Sequence, residues 1–197
     1  MKVIKYFLIF LLLTTGCTSN KDNPVTPEEK TFIIPLNVGN QWLGKAELID
    51  TSGNIFSTSF LGMTIVGNTN QDSSTFHIFQ RENGLQYLCM NTDSGFVYNI
   101  WGGNFLQYKY PAKVGDKFFV AGNAYREVIS IDTTITTEFG RYRCYHYRMR
   151  FTDVNFYTEE FLSPGYGYIY SEHFQSYISP KLFLSSRITY NPMLKEN

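Results

Sequence analysis

The side chains whose chemistry can be tested against their spacing are few. They are His77, His146 and His173, the adjacent pair Glu159-Glu160, and four arginines within ten residues, Arg141, Arg143, Arg148 and Arg150. Each histidine stands alone in a strand-like stretch, and no HExxH or paired CxxC gives a metal a local ligand set, so neither zinc, iron nor any cofactor is expected. Glu159 and Glu160 are neighbours on an extended segment, which sends them to opposite faces and denies them the shared site that two-carboxylate chemistry needs. Only folding could bring Asp153 or Glu172 to either of them. There is no GxSxG elbow and no phosphate loop, and Gly165-Tyr166-Gly167 belongs to the Ser163-Pro164-Gly165 bend, where proline and glycine suit the central positions of a type II turn. The chain is therefore expected not to be an enzyme, a hydrolase with dispersed acids being the alternative.

The arginines have two readings. Strand alternation sets Arg141 and Arg143 on one face with Tyr145, Tyr147 and Met149, and Arg148 and Arg150 on the other with Tyr142, Cys144 and His146. A split set covers tyrosine rings or pairs with acids, whereas a bulge in the run would gather all four into an anion contact. The aromatic residues also have two. Trp42, Trp101 and the period-two series Tyr166, Tyr168, Tyr170 form either an exposed platform for a ligand, glycan or partner, or the inner wall of a sheet.

Cys17 offers chemistry of another kind. Before it lie the basic start Lys2 and Lys5, an apolar run from Tyr6 to Leu13, and the small or polar Thr14, Thr15 and Gly16. The run is too short to span a bilayer, which takes about 20 apolar residues. Gly16-Cys17 resembles the end of a bacterial lipoprotein signal, with Leu13 one place further out than usual. That resemblance implies cleavage before Cys17, diacylglycerol on its thiol and attachment to a membrane; an ordinary signal cut elsewhere is the alternative. Thr18 to Lys30 is polar and aperiodic and reads as a tether. Lys21-Asp22 resembles the charged export signals of surface lipoproteins, and the lack of an aspartate after Cys17 points to the outer rather than the inner membrane of a Gram-negative host.

Removing 16 of 197 residues leaves enough for one domain with a core. Loss of Lys2 and Lys5 from 17 basic and 17 acidic residues gives a mature net charge of −2, which argues against nucleic acid as a partner. Cys89 and Cys144 either form a disulfide, permitted in an envelope compartment, or stay as buried thiols. The 17 Phe, 15 Tyr and 2 Trp favour sheet.

These residues must be positioned by strands. Runs rich in Val, Ile, Thr, Phe and Tyr alternate with turn clusters such as DTSGN, RENG, NTDSG and SPGYG. Strands are expected over 41–50, 55–66, 75–81, 85–91, 96–101, 105–110, 117–120, 124–135, 141–152, 156–162, 166–174 and 182–190, with little helix. PLNVGNQW (35–42) and PAKVGDKF (111–118) repeat one form 76 residues apart. Each reads as a turn with a packed valine and a left-handed glycine, arising by duplication or by independent reuse.

The order of P-L-x-V-G-N-x-W, Y-P-x-x-V-G-D, Phe139-Gly140-Arg141-Tyr142 and S-P-G-Y-G-Y resembles bacterial lipoproteins and exported proteins built on a domain of unknown function. Their curved sheet is similar to that of the lipoprotein carriers LolA and LolB. The resemblance implies an all-β antiparallel meander, a half-barrel or open barrel, and no catalytic residues to carry over. The expected organisation is a signal at 1–16, a lipidated tether at 17–30, a β domain at 31–192 and a tail at 193–197. The expected function is a lipid-anchored envelope protein that binds an apolar ligand or an envelope partner, with glycan binding through exposed aromatics as the alternative.

Overall fold

The computed structural model describes residues 32–71, 73–175 and 183–195. The signal, Cys17 and the tether lie outside them. Twelve strands follow in order: β1 Gln41–Ile49, β2 Ile55–Gln71, β3 Ser74–Arg81, β4 Gln86–Thr92, β5 Gly95–Ile100, β6 Gly103–Lys109, β7 Lys117–Ala121, β8 Ala124–Thr137, β9 Gly140–Phe151, β10 Phe156–Ser163, β11 Gly167–Gln175 and β12 Phe183–Met193. All twelve expected strands are present. β2 runs further than its composition suggested, because Gly67 to Gln71 pair with β3 and the chain reverses only at Ser73, a non-glycine residue with φ of 66°. The turns follow their chemistry. After β1, Asp50 Oδ1 accepts from the amides of Ser52 and Asn54 while Gly53 takes φ of 86°.

The strands form one antiparallel sheet in the order β6-β5-β4-β3-β2-β1-β12-β11-β10-β9-β8-β7. Two six-stranded meanders are thus joined by the ladder between the first and last strands, from Gln41–Met193 to Leu48–Ser186. The sheet curls until its outer strands β6 and β7 nearly meet, so the all-β half-barrel or open barrel expected from sequence is present as a nearly closed barrel. Side chains cross this seam in place of a ladder: the Arg126 guanidinium donates to the Gln107 carbonyl, the Tyr147 hydroxyl to the Lys109 carbonyl at 2.8 Å, and Lys109 pairs with Asp116 at 2.9 Å.

Each copy of the repeated octapeptide opens one meander. Gly39 donates to the Ile65 carbonyl at 2.7 Å, and Ile65 donates back to Asn40 at 3.0 Å. Gly115 donates to Val128 at 2.8 Å, and Val128 back to Asp116 at 2.9 Å. Gly39 and Gly115 take φ of 92° and 86°, so in both copies one left-handed turn docks on the second strand of its own meander. The valines do not pack inward as expected. Val38 and Val114 are exposed, because the glycine after each turns the chain and leaves the preceding side chain outside.

The N-terminal segment closes one end. Phe32 O accepts from Gly165 between β10 and β11, and Ile34 O accepts from Asn91 at the end of β4, on the far side of the barrel. The segment therefore spans the opening and buries Ile33, Ile34 and Leu36 against Trp42, Phe79 and Phe96. The chain's other end is tied to the same place, since Lys195 N donates to Asn40 Oδ1 at 2.7 Å; β12 continues to Met193, and the start of the expected tail is part of the domain.

A second, smaller core lies outside the barrel. β9 pairs with β10 only from Tyr145 onward, whereas its first residues pair with β8 alone, beyond irregularities between Val128 and Thr133. The freed hairpin tip lies on the outer face of the sheet and buries Tyr142 and Cys144 against Phe161 and Ile169.

Candidate interior binding site

Opposed residues of antiparallel neighbours share a face. The register Val128–Tyr147–Glu160–Ser171–Ile188 therefore runs around the inner wall, next to Arg126–Met149–Thr158–His173. Between these rows and the residues Leu61 and Met63 of β2 is a cavity of about 640 Å³. It reaches the exposed turn residues Glu82 and Asn83, so it opens at the end opposite the N-terminal plug. That end also carries exposed apolar side chains: Ile55, Phe56, Leu85, Trp101 and Val154 all lie in or beside its turns.

Leu61, Met63, Met149 and Ile188 supply apolar wall, and a polar group converges among them. Arg126 is buried, 2% exposed, with Nη2 2.6 Å from Glu160 Oε2 and its guanidinium 4.2 Å from the centre of the Tyr108 ring. Its Nε–H has no partner. Burial alone would lower the Arg126 pKa, but Glu160, with Tyr108 and Tyr168, outweighs burial and holds it above the ordinary value, so the guanidinium stays charged. Tyr98, Tyr108, Tyr168 and Tyr190 stand with it, and burial raises all four hydroxyls, which stay protonated donors. Burial lowers His173 despite the opposing effect of Glu160. The site thus offers apolar wall, one balanced ion pair and several neutral hydroxyls, the pattern of a small-ligand cavity. A second hollow, about 670 Å³, lies outside between Phe139 of the hairpin tip and Leu43, Phe60 and Val66. It is an open apolar groove without such convergence.

The sequence-predicted residues are distributed differently. Trp42 is fully buried, stacked on Phe79 with Nε1 donating to Tyr166 O at 2.6 Å, whereas Trp101 is 92% exposed on a turn with φ of 52°. The tyrosine series does not share a face. A bulge opposes Phe161–Tyr170 and then Leu162–Tyr168, which points Tyr168 into the barrel and leaves Tyr166 and Tyr170 against the outer core. Of the two readings, the exposed five-residue platform does not form: Trp101 alone of the five is exposed.

Of the two readings of the remaining cysteines, the structure has the buried thiols and not the disulfide. Cys89 and Cys144 are free, one in the barrel core and the other in the outer core, so the sheet lies between them. The arginines stay split, because the irregularities fall in β8 and not within their own strand. Arg143 pairs with Asp132 at 2.5 Å, Arg148 with Glu159 at 2.6 Å, and Arg148 and Arg150 both lie over the Tyr157 ring. No anion clamp forms from Arg141, Arg143, Arg148 and Arg150. Glu159 and Glu160 face opposite ways as expected. Register does set Glu172 across from Glu159, but Glu159 is held by His146 at 2.6 Å and by Arg148, and Glu172 accepts from Tyr170. No group of three or more His, Cys, Asp or Glu suited to a metal occurs among the described residues.

Arg126 was not singled out from sequence, and Glu160 was read only as the neighbour of Glu159 on the opposite face. Their signal was present in the alternation: Ala124-x-Arg126-x-Val128 and Thr158-x-Glu160-x-Leu162 each place a charge in an otherwise inward stripe.

No family model matches the chain, and no curated protein matches it. Two solved structures are similar. One is described as a "putative exported protein with YmcC-like fold" from Bacteroides fragilis, 17% identical, with a TM-score of 0.51, covering 81% of this chain and 97% of the other. The second is a "putative lipoprotein" from Parabacteroides distasonis, 16% identical, with a TM-score of 0.45, covering 83% and 98%. The first likeness is one of fold, and it is to a YmcC-like fold rather than to LolA or LolB in particular.

Proposed function

We propose that this chain is a lipid-anchored protein of the bacterial cell envelope that does no catalysis and holds an apolar or amphiphilic ligand inside its barrel. The observation that carries the reading is the 640 Å³ cavity, closed at the plugged end and open at the other. A barrel filled only to make a core would not leave such a space beside a charged pair. The lipoprotein-like ending Gly16-Cys17 and the exported character given to the Bacteroides fragilis protein support the envelope. The residue after Cys17, Thr18, supports the outer membrane. The apolar side chains at the open end favour contact with an envelope partner or a lipid surface during delivery.

The test is native mass spectrometry and lipid extraction of the exported Cys17→Ser chain. A stoichiometric lipid retained in the folded state is expected. A chain that carries none, and takes up none when offered, would overturn ligand binding.

A further inference from the structure

The cavity's polar group restricts the chemistry of what it can hold, a deduction that rests on the ligand-binding reading above. Among the described residues Arg126 is the one cation lining the inner part of the space, and its charge is already balanced by Glu160 at 2.6 Å. The other cation on the lining, Arg81, sits beside Glu82 where the third strand ends at the open mouth. An anionic head entering beside Arg126 would also meet the Glu160 carboxylate, and a low-dielectric site would then contain two negative charges against one positive. A cationic head would meet the converse excess at Arg126. A neutral head with acceptor oxygens avoids both and meets a lining of protonated hydroxyls, Tyr98, Tyr108, Tyr168 and Tyr190, of which Tyr98 and Tyr108 also bond Tyr168. The remaining wall, Leu61, Met63, Met149 and Ile188, is apolar and unbranched enough at the methionines to follow a flexible chain. The volume suits one small ligand, within the range of roughly 300–1,000 Å³ usual for such sites, and is too small for the several acyl chains of a membrane lipid or lipoprotein anchor.

We infer that the barrel binds an uncharged single-chain amphiphile whose head carries hydroxyl, ester or amide oxygen, and that the Arg126–Glu160 pair selects against fatty-acid anions of the same chain length.

The experiment titrates the exported Cys17→Ser chain with 1-monopalmitoylglycerol and with palmitate at pH 7.5, below their aggregation limits, following displacement of a fluorescent neutral probe. The monoglyceride is expected to bind at least tenfold more tightly. In Glu160→Gln the guanidinium is left unbalanced, and palmitate should gain tenfold or more and raise the variant's melting temperature, while the monoglyceride changes little. Palmitate equal to or tighter than the monoglyceride in the unmodified cavity would overturn the inference and leave ligand binding intact. Failure of both compounds and of the probe to bind would overturn ligand binding itself, and the inference with it. If Glu160→Gln does not fold, the ratio measured without that substitution decides alone.

Discussion

At the scale of single residues, the two tryptophans separate packing from surface. Trp42→Ala removes a fully buried indole and its hydrogen bond to Tyr166 and should cost about 3–5 kcal/mol. Trp101→Ala should change stability by less than about 0.5 kcal/mol. Chemical denaturation of both variants checks this, and acrylamide should quench only the Trp101 share of the native emission. The cysteines supply another expectation. Burial pushes both thiols up to about 12, so alkylating reagents should leave Cys89 and Cys144 untouched in the native chain and label both after unfolding. Labelling of neither after unfolding would mean a disulfide. The histidines add a dependence on pH. Burial lowers His77 and His173 below the ordinary 6.5. The unfolded chain therefore takes up protons first, and stability complete above about 6.5 falls as the solution is acidified toward the folded values. The urea midpoint should be lower at pH 5.5 than at 7.5, and His77→Gln with His173→Gln should flatten that difference. Sequence alone could name these side chains but not their burial, since a lone Trp, Cys or His in a strand carries no mark of which face it occupies.

At the scale of elements, the strands were legible because each is short, β-branched or aromatic, and bounded by its own turn residues. What alternation could not show is where it is interrupted. The bulge beside Leu162 turns Tyr168 inward and Tyr170 outward, and it comes from two strands of unequal local length meeting in space. The departure of the β8–β9 tip has the same origin: nothing in Thr133 to Cys144 says that β10 ends before reaching it. Arg126 and its pairing with Glu160 were hidden for a related reason, since a charge in an apolar stripe has meaning only when its partner on another strand is known. Backbone positions give a sharp test at this scale. Gly95 has φ of 130°, and a Cβ there would lie 2.0 Å from the Tyr108 carbonyl oxygen, so Gly95→Ala should cost on the order of 3 kcal/mol. Gly53 has φ of 86° with open space around it, and Gly53→Ala should cost only about 1 kcal/mol. Equal losses at the two sites, measured by thermal melting, would contradict the packing described between β5 and β6.

At the scale of the whole molecule, the proposed lipid anchor and the barrel are separable. Cys17→Ser should release the protein from membranes, measured by fractionation, with an unchanged melting temperature, because the plug that begins at Phe32 belongs to the domain and not to the tether. The repeated turn, equivalent in position and hydrogen bonding in both halves, makes a doubled six-stranded unit the simplest description of the architecture. Its spacing was legible from sequence; the closure of the sheet was not, since it depends on β1 meeting β12 across the length of the chain. That ladder has a mechanical corollary. The halves are stitched by backbone where the chain is not continuous and linked covalently where the barrel has only its side-chain seam. A protease cut between Pro111 and Asp116 would therefore sever the molecule at its loosest junction and leave the two fragments clasped through the strands at its ends, as a noncovalent dimer of unequal halves whose new chain ends flank a slit leading directly to the cavity.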